Sequence, residues 1–257
     1  MSLDEKINFA NSYLLAKMPK YKATAVDFII NGGSKIILNE YLRTVFLPDK
    51  LSAEYLNAEK EILKSSFNED LIIEKKDCKK VGKHIYLAYS KISYVLADAV
   101  VNDANQKLLG CFRPMHDCID NQIHSNAGLG LRLECLSIMT NKNHDEFPGS
   151  ARITNGYNLI QSYVIHTVSP YVFNGVIEDY HKILLESCYK SILELCEKNN
   201  IKTVVIPPLG IDKQKFPLLN AAYIAVETVK KYTIKNNIDV IFSIEDKDIF
   251  NLFNNLI

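Results

Sequence analysis

The chain lacks an excess of either charge: 30 lysines and arginines stand against 30 aspartates and glutamates in 257 residues. That balance argues against a surface for a nucleic-acid polymer or an anionic membrane, because neutralising phosphates takes a local basic excess. A nucleotide held in a pocket is compatible with it. No apolar run approaches the roughly 20 residues needed to span a bilayer. The start, Met1-Ser2-Leu3-Asp4-Glu5-Lys6, has neither the basic start nor the apolar core of a signal peptide. There is no internal repeat and no low-complexity stretch. These absences predict a cytoplasmic globular protein whose six cysteines are reduced.

What is present is apolar pattern. At 47% hydrophobic residues the chain can build a core without staples. Residues 1–80 read as a helical extension: segments 4–17, 22–46 and 52–66 carry helical apolar spacing, broken by Pro19, Gly32-Gly33 and Pro48-Asp49-Lys50. From about residue 84 strands and helices alternate. His84–Ile92, Ala97–Asn102, Ala151–Tyr157, Ser162–Val168, Thr203–Ile206 and Asp239–Ser243 read as strands. Ile119–Thr140, Asp179–Asn199 and Pro217–Lys235 read as helices. Continuously apolar strands separated by helices describe an α/β fold with a mostly parallel sheet covered on both faces. Ligands in such folds sit at the carboxyl ends of the strands, so the loops 102–118 and 207–216 are expected to border one crevice.

One loop concentrates chemistry. Cys111-Phe112-Arg113-Pro114-Met115-His116-Asp117-Cys118 places three ligands for a borderline metal inside eight residues. Three protein ligands and no fourth at finger-like spacing suit an open site better than a closed structural one, and two thiolates with an imidazole favour zinc over magnesium or manganese. Two other readings stand beside it: chance proximity in a loop, and a Cys/His nucleophile pair. Cys188 and Cys196 read as buried small hydrophobes on an amphipathic helix, and only Cys111 and Cys118 have metal-like company. Asp120 opens the next helix, either as a dipole-compatible charge or as a carboxylate orienting a water. Asn102 and Asn105 are turn residues or partners for sugar hydroxyls.

These residues carry a resemblance. Val101-Asn102-Asp103-Ala104-Asn105, followed by Leu108-Leu109-Gly110, resembles the Val-Asn-Ala-Ala-Asn…Leu-Leu-Gly segment of macrodomains. The run Gly110-Cys111-Phe112…His116-x-Cys118-Ile119-Asp120-Asn121…His124…Ala127-Gly128…Leu131-Arg132 resembles the zinc-dependent macrodomains of bacteria and fungi. Ala151-Arg152-Ile153-Thr154, Tyr163-Val164-Ile165-His166-Thr167-Val168 and Phe216-Pro217 continue it. The resemblance implies a three-layer α-β-α macrodomain over 81–257 behind the extension 1–80. It also implies binding of ADP-ribose and removal of mono-ADP-ribose from protein side chains, carboxylate-linked sites included. Cys111, His116 and Cys118 would bind Zn2+; Asp120 would orient the reactive end, with Asn105 on the distal ribose. The ligand would lie along Lys91, Ile92, Asn102, Asn105, Ile119, Asp120, Pro208, Leu209, Gly210, Ile211 and Asp212. Zinc with an open position polarises a ribose hydroxyl or acidifies a bound water, and Asp120 could stabilise oxocarbenium-like charge.

The departures from that family pattern are specific. Lys91 stands where an aspartate receives the adenine amino group, and lysine only donates. Pro208-Leu209-Gly210 replaces a Ser-Thr-Gly phosphate loop, losing two hydroxyls and one N–H. The following stretch is two residues longer, Asp212 replaces an aromatic, and Asp103 replaces an alanine. Lys91, Lys213 or Lys215 could reach a phosphate as point charges. Two further functions therefore stand beside hydrolysis of ADP-ribosylated proteins: a reader that binds ADP-ribose without turnover, and hydrolysis of a nucleotide lacking adenine.

Overall fold

The computed structural model describes every residue except Pro48, Asn143 and Lys213. Seven strands form its sheet: β1 (Lys79–Gly82), β2 (Ile85–Ala88), β3 (Ala99–Asp103), β4 (Ala151–Asn155), β5 (Tyr163–Thr167), β6 (Thr203–Ile206) and β7 (Asp239–Ser243). They lie in the order β1-β2-β7-β6-β3-β5-β4. The five inner strands run parallel, and the two edge strands are antiparallel to their neighbours. The period of two along each strand divides the core. Val101, Val204 and Phe242 face one apolar layer, with Leu185, Tyr189 and Val226. Their neighbours Val100, Val205 and Ile241 face the other, with Ile123, Leu131 and Cys135. Strands buried on both faces need apolar residues at both parities, which is why they read as continuous apolar runs.

Helices α7 (Asp179–Lys198), α8 (Leu218–Thr233) and α9 (Lys247–Leu256) cover the first face; α5 (Ile119–Ala127) and α6 (Leu129–Lys142) cover the second. The amino-terminal region consists of α1 (Leu3–Lys17), α2 (Lys22–Ile30), α3 (Lys35–Val45) and α4 (Ala53–Ser66), with its own core around Leu14, Leu42, Tyr55 and Ile62. The expected break at Gly32-Gly33 separates α2 from α3. The break at Pro48 lies outside the described residues.

Three sequence expectations are corrected. The continuous helix expected over Ile119–Thr140 is two helices, joined at Gly128 in the left-handed region at φ 85°. Glu59 of α4 reaches across to accept the Leu129 N–H at 3.0 and 3.1 Å, capping α6 from a distant element. A Cβ at Gly128 would lie 2.6 Å from that carboxylate, so glycine is required both for its backbone angle and for its lack of a side chain. The strand expected over His84–Ile92 ends at Ala88, and residues 92–94 form a short 3-10 turn. Finally, β1 and α9 were not anticipated; Asp246 starts α9 by accepting the Asp248 and Ile249 N–H groups at 2.9 Å.

Arg132 of α6 fastens the helical region to the sheet domain. Its Nη1 donates to the carbonyls of Arg43, Thr44 and Phe46 at 2.8, 3.2 and 2.7 Å, the orphan acceptors at the end of α3. Arg43 returns the contact, donating to the Ser125 carbonyl at 2.6 Å. Burial lowers the Arg132 pKa to about 10, which leaves it charged at neutral pH. Arg132→Met should lower unfolding free energy by about 3 kcal/mol or more, since three buried carbonyls lose a charged donor. Urea denaturation followed by far-UV circular dichroism measures it; a loss below about 0.5 kcal/mol would show that the carbonyls find other partners.

Candidate functional site

Because β2, β7, β6, β3 and β5 are parallel, their carboxyl ends open onto one edge of the sheet. The order of the strands sets the order of the loops along that edge: Lys91 after β2, then the β7 end, then Pro208–Asp212 after β6, then Asn105 and the cysteine loop after β3. At about 4.8 Å per strand, the crest from β2 to β5 spans about 19 Å, enough for an extended nucleotide sugar. The two loops expected to share a crevice are adjacent because β6 pairs with β3.

At one end of this crest, Asn102 is the penultimate residue of β3 and fully buried. Its Nδ2 donates to Asp120 Oδ1 at 2.9 Å and lies 3.2 Å from His166 Nδ1. Asn105 Nδ2 donates to the Gly110 carbonyl at 2.9 Å and approaches Asp120 Oδ2 at 3.3 Å, while its Oδ1 accepts the Lys107 N–H at 2.9 Å. Asp120 is only 2% exposed, and both of its oxygens face amides that are fixed by the backbone of β3 and its loop. Both sequence readings of Asp120, a helix-end charge and a carboxylate that orients a water, are compatible with this pair of donors.

Behind Asp120 lies a group that sequence reading missed. His124 Nε2 is 3.6 Å from Asp120 Oδ1. His166 Nε2 is 3.0 Å from Thr154 Oγ1 and 3.7 Å from Cys135 Sγ. Burial lowers both histidines to about 3, so both rings are neutral at physiological pH. With Nδ1 of His166 accepting from Asn102, its proton sits on Nε2 and points to Thr154. Ligand atoms of His124, Cys135 and His166 lie within 4.8 Å of one another, so the expectation that only Cys111 and Cys118 have such company is corrected. The trio comes together because Cys135 on α6 packs against β5, which spacing along the chain does not reveal.

The loop from Gly110 to Cys118 is backbone-constrained. Gly110 takes φ 85°, and Phe112 and Met115 also adopt the left-handed region, at 50° and 58°, unusual for non-glycine residues. A Cβ at Gly110 would stand 3.1 Å from the His124 ring and 3.2 Å from Arg132. The folded loop brings the donor atoms of Cys111, His116 and Cys118 within 4.8 Å of one another. Cys118 is buried and immediately precedes α5, so Asp120 follows it by half a turn of helix. The neighbouring Cys111 and burial push the Cys118 thiol well above its usual range. The Arg132 guanidinium lies 4.6 Å from the Phe112 ring centre, tying the loop to the anchor of the helical region.

At the other end, Lys91 is exposed at the lip of a cleft of about 550 Å³, lined also by Glu40 and Arg43 of α3, Ser93, and Met115 and His116 of the cysteine loop. Ile92 points away into the core at 1% exposure, and Ile119 packs partly against the same cluster. In the loop after β6, Leu209 is fully buried in the core and donates its N–H to Tyr189 Oη at 3.1 Å. Gly210, at φ 80°, donates its N–H to Asp103 Oδ2 at 2.9 Å. Pro208 and Ile211 are half-buried and Asp212 is exposed. Lys213 lies outside the described residues.

Residues 101–225 match the Macro domain family, a span that runs from within β3 past β6 and includes both crest loops. A protein-ADP-ribose hydrolase of Treponema medium is 33% identical over 98% of this chain and 98% of its own. A protein-ADP-ribose hydrolase of Staphylococcus aureus is 37% identical over 77% of this chain and 76% of its own. Among solved structures, the Trypanosoma brucei macrodomain in complex with ADP-ribose superposes with a TM-score of 0.65 at 24% identity, over 84% of this chain and 94% of that one. The Oceanobacillus iheyensis macrodomain with ADP gives 0.63 at 23% identity, over 70% and 93%. A sheet of this order, a crest assembled from these loops and a relative matched from end to end agree on one assignment, and the chain belongs to the macro domain family.

Proposed function

We propose that this chain is a zinc-dependent hydrolase that removes mono-ADP-ribose from modified protein side chains, carboxylate-linked ones among them. The observation that carries the reading is the continuity of one short segment. The loop that gathers Cys111, His116 and Cys118 runs directly into Asp120, and Asp120 is held by amides on both oxygens. The protein-ADP-ribose hydrolase relatives support the reaction class.

Zinc suits this donor set on chemical grounds. Two thiols and an imidazole match its ligand preference, and His116 Nδ1 is buried without a hydrogen-bond partner among the described residues. The pressure that raises the Cys118 thiol is reversed by a cation, which deprotonates a coordinating thiol. When bound, zinc would supply Lewis acidity toward a ribose hydroxyl or water oxygen.

The chain's own residues perform the rest. Asn102 and Asn105 donate to the Asp120 carboxylate and stabilise its ionised form, fixing the direction in which its negative charge acts. In hydrolysis of an ester to the distal ribose, the bond from the anomeric carbon to the carboxyl oxygen breaks. The water oxygen bonds to that carbon, and the water's proton is released as the side-chain carboxylate departs. Positive charge grows on the ribose as the bond lengthens, and a preorganised carboxylate stabilises it without reorienting. Neutral His166, bonded to Asn102, and His124 beside Asp120 add no competing positive charge. The exposed Lys91 offers only donors at the base end, and this one feature favours hydrolysis of a nucleotide lacking adenine over an adenine one.

The protein as purified should hold about one zinc per chain, and Cys118→Ser should hold almost none; elemental analysis of both proteins measures this. Equal zinc in the two would remove Cys118 from the metal site. Asp120→Ala should retain zinc and fold while lowering turnover of a carboxylate-linked ADP-ribosyl protein by about 10²-fold or more. Release of ADP-ribose, followed chromatographically, is the readout. Turnover within about twofold of wild type would end the assignment of Asp120 to the reaction.

A further inference from the structure

Asp103 ends β3, one residue beyond Asn102, half-buried, between the two loops that would flank a diphosphate. Its hydrogen-bond partners among the described residues are neutral donors. Ser169 Oγ donates to Oδ1 at 2.8 Å, Gln214 Nε2 approaches Oδ1 at 3.5 Å, and the Gly210 N–H donates to Oδ2 at 2.9 Å. The next amide back, Leu209 N–H, is bonded to Tyr189 Oη. Backbone amides at such a glycine turn are the usual way a protein holds a phosphate oxygen without a cation. Here an internal carboxylate already takes the Gly210 amide.

We propose that Asp103 is the residue that gates anion binding at this crest: its carboxylate stands in for a phosphate oxygen on the Gly210 amide, and a diphosphate binds with uptake of one proton by Asp103. The inference rests on the reading of the crest as an ADP-ribose site. Two anions sharing one amide repel each other, whereas a protonated carboxyl carries no charge against the ligand and loosens its hold on the amide. The groups facing Asp103 among the described residues add no cation: Asp120 from α5, and Cys188 and Tyr189 from α7. Asp212 and Lys215 of the following loop are exposed. Burial, the largest cause, raises the Asp103 carboxyl to about 6, with the bonds from Gly210 and Ser169 opposing it. Affinity for a diphosphate therefore rises as pH falls through that value. Cys188, raised to about 12, and His124 and His166, lowered to about 3, do not titrate in the window.

The sign and size follow from the protonated fraction. A group titrating at about 6 is about 3% protonated at pH 7.5 and about three-quarters protonated at pH 5.5, a ratio of about 25 in binding-competent protein. Calorimetry of the zinc-loaded full chain with ADP-ribose, at both pH values and in buffers of different ionisation enthalpy, tests this against Asp103→Asn and Asp103→Ser. Adenosine serves as the phosphate-free probe. The expected result is wild-type affinity for ADP-ribose about 20-fold tighter at pH 5.5, with close to one proton taken up per ligand at pH 7.5. Asp103→Asn should bind at least about tenfold tighter than wild type at pH 7.5 with a flat pH profile, and adenosine binding should follow neither change. A flat wild-type profile without proton uptake, or a folded Asp103 variant that binds ADP-ribose no tighter at pH 7.5, overturns the gate. Should wild type and variants all ignore ADP-ribose at both pH values, the reading of the crest as an ADP-ribose site fails, and the gate falls with it.

Discussion

The buried guanidinium of Arg132 is the constraint on which the rest of the molecule leans. It satisfies three carbonyls at the end of α3, stacks on Phe112 of the cysteine loop, and stands beside the glycine that starts that loop. A buried charge held by three carbonyls is stable only where those partners stay in place, so the helical region, α6 and the loop are fixed relative to one another. Glu59 makes the same connection in the opposite direction, from α4 to the start of α6. The helical region is thereby part of the site's scaffold: it lines the cleft beneath Lys91 and holds the helix pair that carries Asp120.

With the frame rigid, the surroundings of Asp120 are a problem in donors. Asp120 is buried, and a buried carboxylate is tolerated only with compensating partners. Asn102 and Asn105 provide them from a strand end and a turn, both rigid attachments. Asn102 is itself oriented by His166, and His166 by Thr154. Each layer fixes the one in front of it, so the orientation of a single carboxylate is set four residues deep into β4 and β5. The loop after β6 is arranged differently. Its amides are already bonded to Tyr189 and Asp103, and an anion at those amides would have to displace protein as well as water.

Sequence pattern disclosed what is local and lost what is not. The metal-type ligands Cys111, His116 and Cys118 lie within eight residues, and a loop that short must bring them close. The strands were legible because burial on two faces leaves a continuous apolar signature. The split at Gly128 was hidden because apolar periodicity runs through it; its cause is a carboxylate from Glu59, 70 residues away. The His124, Cys135 and His166 grouping depends on how α6 lies across β5, and the Asp103–Gly210 bond joins residues 107 apart. The loop Pro208-Leu209-Gly210 was readable as a phosphate loop only in outline. That Leu209 turns its side chain into the core follows from packing against α7, and it makes exchange of Leu209 for a polar residue a change to the core as well as to the loop.

Taken together, the two ends of the crest are specified by opposite rules. Around Asp120, Asn102 and Asn105 place an amide donor against each carboxylate oxygen, so its orientation is set before any ligand arrives. In the loop after β6, the Asp103 carboxylate accepts the Gly210 N–H, a donor that an anion at that turn would have to share. Asp103, at the end of β3, and Asp120, at the start of α5, flank one loop and act on each other through space. Negative charge fixed at Asp120 is one of the influences that raise Asp103. The negative charge held at Asp120 therefore also makes the neighbouring carboxylate easier to protonate, and coupling between the two aspartates is built into their spacing around one strand end.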